Sequence, residues 1–245
     1  MTTNYDAIAD KYQESKLQPW RTHIERYTLL RLVGSVKDQT VIDLACGEGY
    51  YTRILRRLGA QRVIGVDLSQ GMIALAKTEE TREPLGIEYR VNDARSVNMA
   101  EEYDLVFAAY LLNYAQTAEE LRQMCQAIVR SLKTGGRFIA VNNNPEDPPQ
   151  NFEAGRLYGY SKHLHGNLTE GAPIVWSFHL PDGSFEVTNY YLSQQTVEQV
   201  LRAAGLRDVR WHPPQVSPEG VREYGEHHWQ PFLKYPSVAF VECIK

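Results

Sequence analysis

The sequence predicts a doubly wound α/β fold built on a mostly parallel sheet, and three observations carry that prediction. The apolar run Thr40-Val41-Ile42-Asp43-Leu44 leads into a turn of small residues, Ala45-Cys46-Gly47-Glu48-Gly49, and an amphipathic pattern starts at Tyr50. A second strand pattern, Arg62-Val63-Ile64-Gly65-Val66-Asp67, again closes on an acid. Further strand patterns around Tyr89, Val106 and Ile139 alternate with helical ones. Such alternation implies parallel strands joined by right-handed crossovers. A strand, a slim turn and a second strand closed by a carboxylate build the nucleotide-binding half of such a sheet. Glycine lets the backbone approach a ligand, and the carboxylate accepts hydrogen bonds from ribose hydroxyls.

The elements follow in order. Tyr51, Ile54, Leu55 and Leu58 share one helical face, and Gly59 ends that helix. Ser69 caps a second helix that turns Met72, Leu75 and Ala76 inward. A strand covers Ile87–Val91. Thr117 and Glu120 make a capping box for a helix carrying Leu121, Met124, Cys125, Ile128 and Leu132. Beyond Val141 the alternation stops. Residues 142–151, rich in Asn and Pro, read as a loop. Ile174–Leu180 and Ser184–Leu192 flank Pro181-Asp182-Gly183 and read as a β-hairpin. A helix over Thr196–Ala204, a strand over Asp208–His212 and a strand over Ser237–Ile244 complete the chain.

A length of 245 residues fits one α/β domain with an insertion. The net charge of −4 and the lack of a strongly basic stretch argue against nucleic acid as a partner. Three widely spaced cysteines, with no CxxC, suit a reduced, cytoplasmic protein. No apolar run nears membrane-spanning length, and the N-terminus lacks a signal sequence, so no membrane partner is expected. His163, His165 and the Glu226-His227-His228 run lack helical ligand spacing, so no metal is expected. Monomer and homodimer both stay open.

The turn discriminates between ligands. A dinucleotide fingerprint would place a third glycine where Thr52 stands, and Tyr50 and Tyr51 crowd the path of a pyrophosphate. Asp43 and Glu48 disfavour a dianion and suit an ammonium or sulfonium group. Asp43-Leu44-Ala45-Cys46-Gly47-Glu48-Gly49 resembles the first motif of class I S-adenosylmethionine-dependent methyltransferases, with Ala45 in place of its first glycine. Asn92-Asp93-Ala94, the strand Tyr103–Tyr110 and Leu132-Lys133-Thr134-Gly135-Gly136 with its following strand resemble later motifs of that family, in the same order.

The resemblance implies a seven-stranded, Rossmann-like sheet whose last strand enters antiparallel. It implies S-adenosylmethionine as cofactor and S-adenosylhomocysteine as product. Ala45, Gly47 and Gly49 would border the amino-acid end of the cofactor, and Asp67 the ribose. Asn92, Asp93 and Ala94 would read adenine, with Leu68 and Met72 on its faces. Ala109 would lie near the methyl group. Tyr5-Asp6-Ala7-Ile8-Ala9-Asp10-Lys11-Tyr12 and Pro19-Trp20-Arg21 resemble a segment that folds over the cofactor. Tyr5, Tyr12 and Trp20 would shield the sulfonium, and Arg21 would hold the methionine carboxylate. The alternative is a helix that only packs on the core.

These readings divide one domain into a lid (1–36), a cofactor half (37–141), a substrate-side insertion (142–192) and a C-terminal part (193–245). Tyr110, Asn113 and Tyr114 are the candidates for positioning a small-molecule substrate, with Asn142–Asn144 either binding it or building turns. Tyr158, Tyr160, Trp176, Tyr190 and Tyr191 join from the insertion, either clamping a flat substrate or forming an aromatic core. A narrower resemblance, to toxoflavin-synthase-like methyltransferases, rests on Pro19-Trp20-Arg21, Leu111-Leu112-Asn113-Tyr114, Asn142-Asn143-Asn144-Pro145, the hairpin and the late Trp211–Gly220 stretch. It implies methylation of a nitrogen or oxygen of a small heterocyclic or polar metabolite. An NAD(P)-dependent oxidoreductase and a non-catalytic cofactor-binding protein remain the alternatives.

Overall fold

The computed structural model describes Tyr5, residues 8–97 and residues 103–245. Asp6 and Ala7 of the N-terminal motif lie outside the described residues. The chain opens with α1 (Ala9–Ser15), a π-helical turn (Arg21–Glu25) and α2 (Arg26–Val33). Then come β1 (Thr40–Leu44), α3 (Tyr50–Arg57), β2 (Arg62–Asp67), α4 (Gln70–Arg82), β3 (Glu88–Val91), β4 (Tyr103–Ala109), α5 (Ala118–Ser131) and β5 (Leu132–Asn143). A 3₁₀ segment (Pro149–Tyr158) leads to β6 (Tyr160–Leu164), β7 (Pro173–Leu180) and β8 (Gly183–Tyr190). The chain closes with α6 (Gln194–Ala203), β9 (Arg207–His212), α7 (Pro218–Tyr224), α8 (Glu226–Lys234) and β10 (Val238–Ile244).

The main sheet has seven strands in the order β3-β2-β1-β4-β5-β10-β9. The first five run parallel, and β10 enters antiparallel to both β5 and β9. Alternate residues of each central strand feed opposite layers, because strand side chains have a period of two. Val41, Leu105, Phe107 and Ile139 pack with Leu29 of α2 and Leu55 of α3. Ile42, Val106, Phe138 and Ala140 pack with Leu121 and Ile128 of α5 and Leu201 of α6. Both faces are covered, which is why these strands read as unbroken apolar runs. The strand order reverses between β1 and β4, and a crevice opens at their C-terminal ends.

Helix starts follow the sequence closely. Ser69 accepts from the Met72 amide, and Thr117 from the Glu120 amide. Glu120 reaches back to the amide of Gln116 rather than to that of Thr117, so the box closes one residue early.

The insertion differs from the expected hairpin. It is a three-stranded antiparallel sheet, β6-β7-β8. The added strand, β6, buries Ser161 and Lys162 beside Tyr160. Lys162 is neutralised there by an ion pair with buried Asp147, so the strand lacks an apolar signature. The short helices α7 and α8 were also not legible in a stretch dense in proline and charge. Of the three asparagines after β5's apolar core, only Asn144 builds a turn, accepting from the Glu146 amide. Asn142 accepts from the Leu112 amide and fixes the segment after β4. Among the described residues no helix is long and apolar enough to cross a membrane.

Candidate active site

Two neighbouring strands end in strained backbone at the crevice. Ala45, after β1, has φ 59°, and Tyr110, after β4, has φ 66°. A left-handed residue with a Cβ costs about 1–2 kcal/mol, and such strain gathers at functional sites. Gly47 also has positive φ (57°), and nothing lies within 4 Å of where its Cβ would stand. Its backbone is therefore bare toward the crevice. Gly49 serves packing instead: an added Cβ would collide with the Tyr89 hydroxyl.

Asp67, at the end of β2, ties the turn together. Its Oδ2 accepts from the Gly47 amide and its Oδ1 from the Ser69 amide, each at 2.8 Å. Burial raises its pKa although both amides oppose the shift. Asp43 is more deeply placed, and burial pushes its pKa up to about 7. Its Oδ2 accepts from the Thr52 hydroxyl at 2.6 Å, so Thr52, at the third glycine position, holds a carboxylate. Asp43 Oδ1 and Glu48 Oε1 are buried with no hydrogen-bond partner among the described residues.

The crevice has two compartments that share Tyr5, Ala45, Asp67 and Tyr114. The larger is lined by Leu68, Asn92, Asp93, Ala94 and Arg95. Asp93 is held bidentately by Arg95, which lowers its pKa. The smaller is lined by Asp43, Gly47, Glu48, Met72 and Ala109, with Tyr12, Lys16, Tyr51, Tyr110 and Tyr114. Met72 thus lines the compartment of the glycine turn and not the one that holds Asp93.

A third hollow lies behind the smaller compartment. It is lined by Tyr5, Tyr12, Trp20, Arg21, Tyr110 and Tyr114, with Asn143, Trp176, Phe178, Val187 and Asn189. Tyr5, Tyr12, Tyr110 and Tyr114 border both spaces. The Tyr5 and Tyr114 hydroxyls bond to each other, and the Tyr5 and Tyr12 rings meet edge to face at 5.3 Å.

Several residues expected around the cofactor or the acceptor stand elsewhere. Arg21 lines the rear hollow and not the glycine-turn compartment. It faces Glu25 at 3.5 Å and packs its guanidinium on Trp20, Phe178, Tyr110 and Tyr12. Burial works against its charge, but Glu25 and the surrounding tyrosines hold its pKa above the ordinary value. Trp20 is a core side chain, tilted against Tyr160 and Phe232. Tyr5 precedes α1, and its ring meets that of Tyr12. Asn113 lies off the crevice, in a separate hollow with Asn142, Ile174 and Trp211.

Other residues were missed. Lys16 is 5% exposed, lines the glycine-turn compartment and places its ammonium 5.0 Å above the Tyr12 ring. It pairs with no carboxylate among the described residues. Its spacing from Tyr12, i and i+4 on one helix face, was the available signal. Glu25 is fully buried and accepts hydrogen bonds from Tyr51 and Tyr110. Asn189 continues the inward register of Phe185 and Val187 on β8, and a polar residue in that register was its signal.

Residues 41–136 match the family described as a methyltransferase domain. The chain is an enzyme that transfers a methyl group from S-adenosylmethionine, and it is similar in sequence and fold to S-adenosylmethionine-dependent methyltransferases. It is 26% identical over 184 residues to a ubiquinone biosynthesis O-methyltransferase of Coxiella burnetii (strain Dugway 5J108-111), covering 73% of this chain and 70% of that protein. It is 36% identical over 104 residues to a ubiquinone biosynthesis O-methyltransferase of Bradyrhizobium diazoefficiens, covering 42% and 40%. The crystal structure of an S-adenosylmethionine-dependent methyltransferase from Mesorhizobium loti superposes with a TM-score of 0.65 at 16% identity, over 94% of this chain and 100% of that one.

The residues fit the cofactor. The unpaired Asp43 Oδ1 and Glu48 Oε1 suit an ammonium, and three carboxylates around the turn (Asp43, Glu48, Asp67) would repel the pyrophosphate of a nicotinamide dinucleotide.

Proposed function

We propose that the protein methylates a nitrogen or oxygen of a small, flat, polar metabolite held in the rear hollow. The lid (1–36) and the insertion (142–192) would supply the acceptor side, in keeping with the toxoflavin-synthase-like resemblance. The observation that carries this reading is the ring of four tyrosines shared by the glycine-turn compartment and the rear hollow. Bound in the crevice, S-adenosylmethionine would supply a methyl group on a positively charged sulfur and leave as S-adenosylhomocysteine.

The chain's residues would divide the work. Asp43 and Glu48 hold the ammonium, and Lys16 takes the methionine carboxylate in place of Arg21. Asp67 accepts the ribose hydroxyls, while Asp93 and the Ala94 amide meet adenine beside Leu68. Tyr5, Tyr12, Tyr110 and Tyr114 face the positive sulfur with aromatic rings, each such contact worth ~0.5–2 kcal/mol. Exclusion of water and alignment of the acceptor behind these rings account for ~7–11 kcal/mol of barrier lowering. Burial raises the pKa of both Tyr110 and Tyr114. Both hydroxyls are therefore neutral near pH 7 and orient the acceptor without deprotonating it.

Screening heterocyclic and phenolic metabolites for uptake of a labelled methyl group tests the reading. Turnover of a small acceptor supports it. Transfer confined to protein or nucleic acid would overturn it.

A further inference from the structure

We propose that Glu25 is a positioning residue of the sulfonium site: its buried carboxylate aims the rings of Tyr51 and Tyr110 at the positive sulfur and cancels the charge of Arg21 beside them. This rests on the cofactor site proposed above. Glu25 closes the π-helical turn Arg21–Glu25, a form that recurs at functional sites. It is fully buried. It borders neither the glycine-turn compartment nor the rear hollow, so it stands behind the rings and touches no ligand.

Two oxygens serve three partners. Oε1 accepts from the Tyr51 hydroxyl at 2.7 Å. Oε2 accepts from the Tyr110 hydroxyl and faces the Arg21 guanidinium at 3.5 Å. The two tyrosines come from separate segments, Tyr51 from α3 and Tyr110 from the left-handed residue after β4. One carboxylate thus fixes the relative placement of two rings that line the glycine-turn compartment. Hydrogen bonds to a charged acceptor are about twice as strong as neutral ones, and a phenol donating to a carboxylate gains electron density on its ring. Burial raises the pKa of both hydroxyls and Glu25 adds to the shift, so both remain donors near neutral pH.

The rings are arranged for a cation. The Lys16 ammonium lies 5.0 Å from the Tyr12 centroid, 5.5 Å from that of Tyr51 and 5.7 Å from that of Tyr110. All three distances fall within the ~6 Å reach of a cation–π contact. Arg21 opposes a further positive charge there, since its guanidinium lies 5.5 Å from the Tyr110 centroid and 5.7 Å from that of Tyr12. Glu25 is the carboxylate that offsets it. Loss of that carboxylate would leave a bare guanidinium near the sulfonium and would free two rings from their anchor. A neutral sulfur feels neither change.

The test compares cationic and neutral ligands of one shape. S-adenosylmethionine and sinefungin, in which an amine-bearing carbon replaces the sulfonium, carry the charge, and S-adenosylhomocysteine does not. Calorimetry gives each dissociation constant with no acceptor present. Glu25→Gln should weaken both cations about tenfold and S-adenosylhomocysteine less than about threefold. Tyr110→Phe, which keeps the ring and the Arg21–Glu25 pair, should weaken the cations about threefold and leave S-adenosylhomocysteine unchanged. Affinity for S-adenosylhomocysteine reports that each variant is folded. A ratio of cationic to neutral affinity that stays the same in either variant would overturn the proposal and leave Glu25 a structural carboxylate. If Glu25→Gln binds none of the three ligands, the ratio in Tyr110→Phe decides alone. Failure of the unaltered protein to bind any of them contradicts the cofactor site on which the proposal rests.

Discussion

A buried cation with no carboxylate in an ion pair is expensive, and among the described residues Lys16 occupies that position at the wall of the glycine-turn compartment. If its counter-ion is the methionine carboxylate, Lys16→Met should weaken S-adenosylhomocysteine about tenfold, about 1.4 kcal/mol. Binding of adenosine, which lacks that carboxylate, should change little, and calorimetry separates the two. Arg21→Met should show the opposite pattern, sparing the cofactor and lowering turnover. Asp43 adds a pH dependence. Burial raises its pKa to about 7, above its ordinary value, so the folded apo protein favours its protonated form. The stability this contributes is complete in acid and is lost as pH rises through about 7. A ligand ammonium reverses the balance by favouring the carboxylate. Cofactor affinity should therefore rise with pH up to about 7 and then level off. In Asp43→Asn it should be weaker and flat, measured by titration between about pH 5.5 and 8.5.

Among the elements, the glycine turn depends on its neighbours. The place of Asp67 at the end of a strand was legible in the sequence. Its bonds to the Gly47 and Ser69 amides were not, because sequence spacing does not reveal which amides a carboxylate meets. Asp67→Ala should therefore destabilise the apo protein as well as abolish cofactor binding. Stranding buried donors costs ~1–3 kcal/mol, and each kcal/mol shifts Tm about 2–4 °C at this size, which a thermal melt will show. In the insertion, Lys162→Met leaves Asp147 buried and unpaired, which should cost about 3–5 kcal/mol. Adding Asp147→Leu should recover much of that, as read from urea unfolding. The hairpin β7–β8 was visible because its residues alternate. Strand β6 was hidden because its buried side chains include Ser161 and a neutralised lysine.

At the scale of the whole molecule, the parallel half was legible because its central strands bury two faces and α4 and α5 each start on a side-chain cap. The antiparallel entry of β10 and the count of seven strands came only with the family resemblance, and the strand order came with the structure. The candidate site was legible where one motif supplies both the backbone turn and its carboxylates, as at Asp43–Gly49. It was misjudged where distant segments meet. Arg21 went to the rear hollow, Met72 to the turn compartment and Asn113 out of the crevice, since each depends on packing between elements far apart in sequence. The rear hollow itself joins the N-terminal helix, the ends of β4 and β5, and two strands of the insertion, a meeting that no local pattern announces. We read these pieces together as a methyltransferase cleft that would refuse dinucleotides, and paired calorimetric titrations with S-adenosylhomocysteine and NAD put that to the test. One-site binding of S-adenosylhomocysteine is expected, lost in Asp67→Ala, with ~2.7 kcal/mol of stabilisation at about one hundred times its Kd, and no binding of NAD. Saturable binding of NAD, with none of S-adenosylhomocysteine, would contradict it.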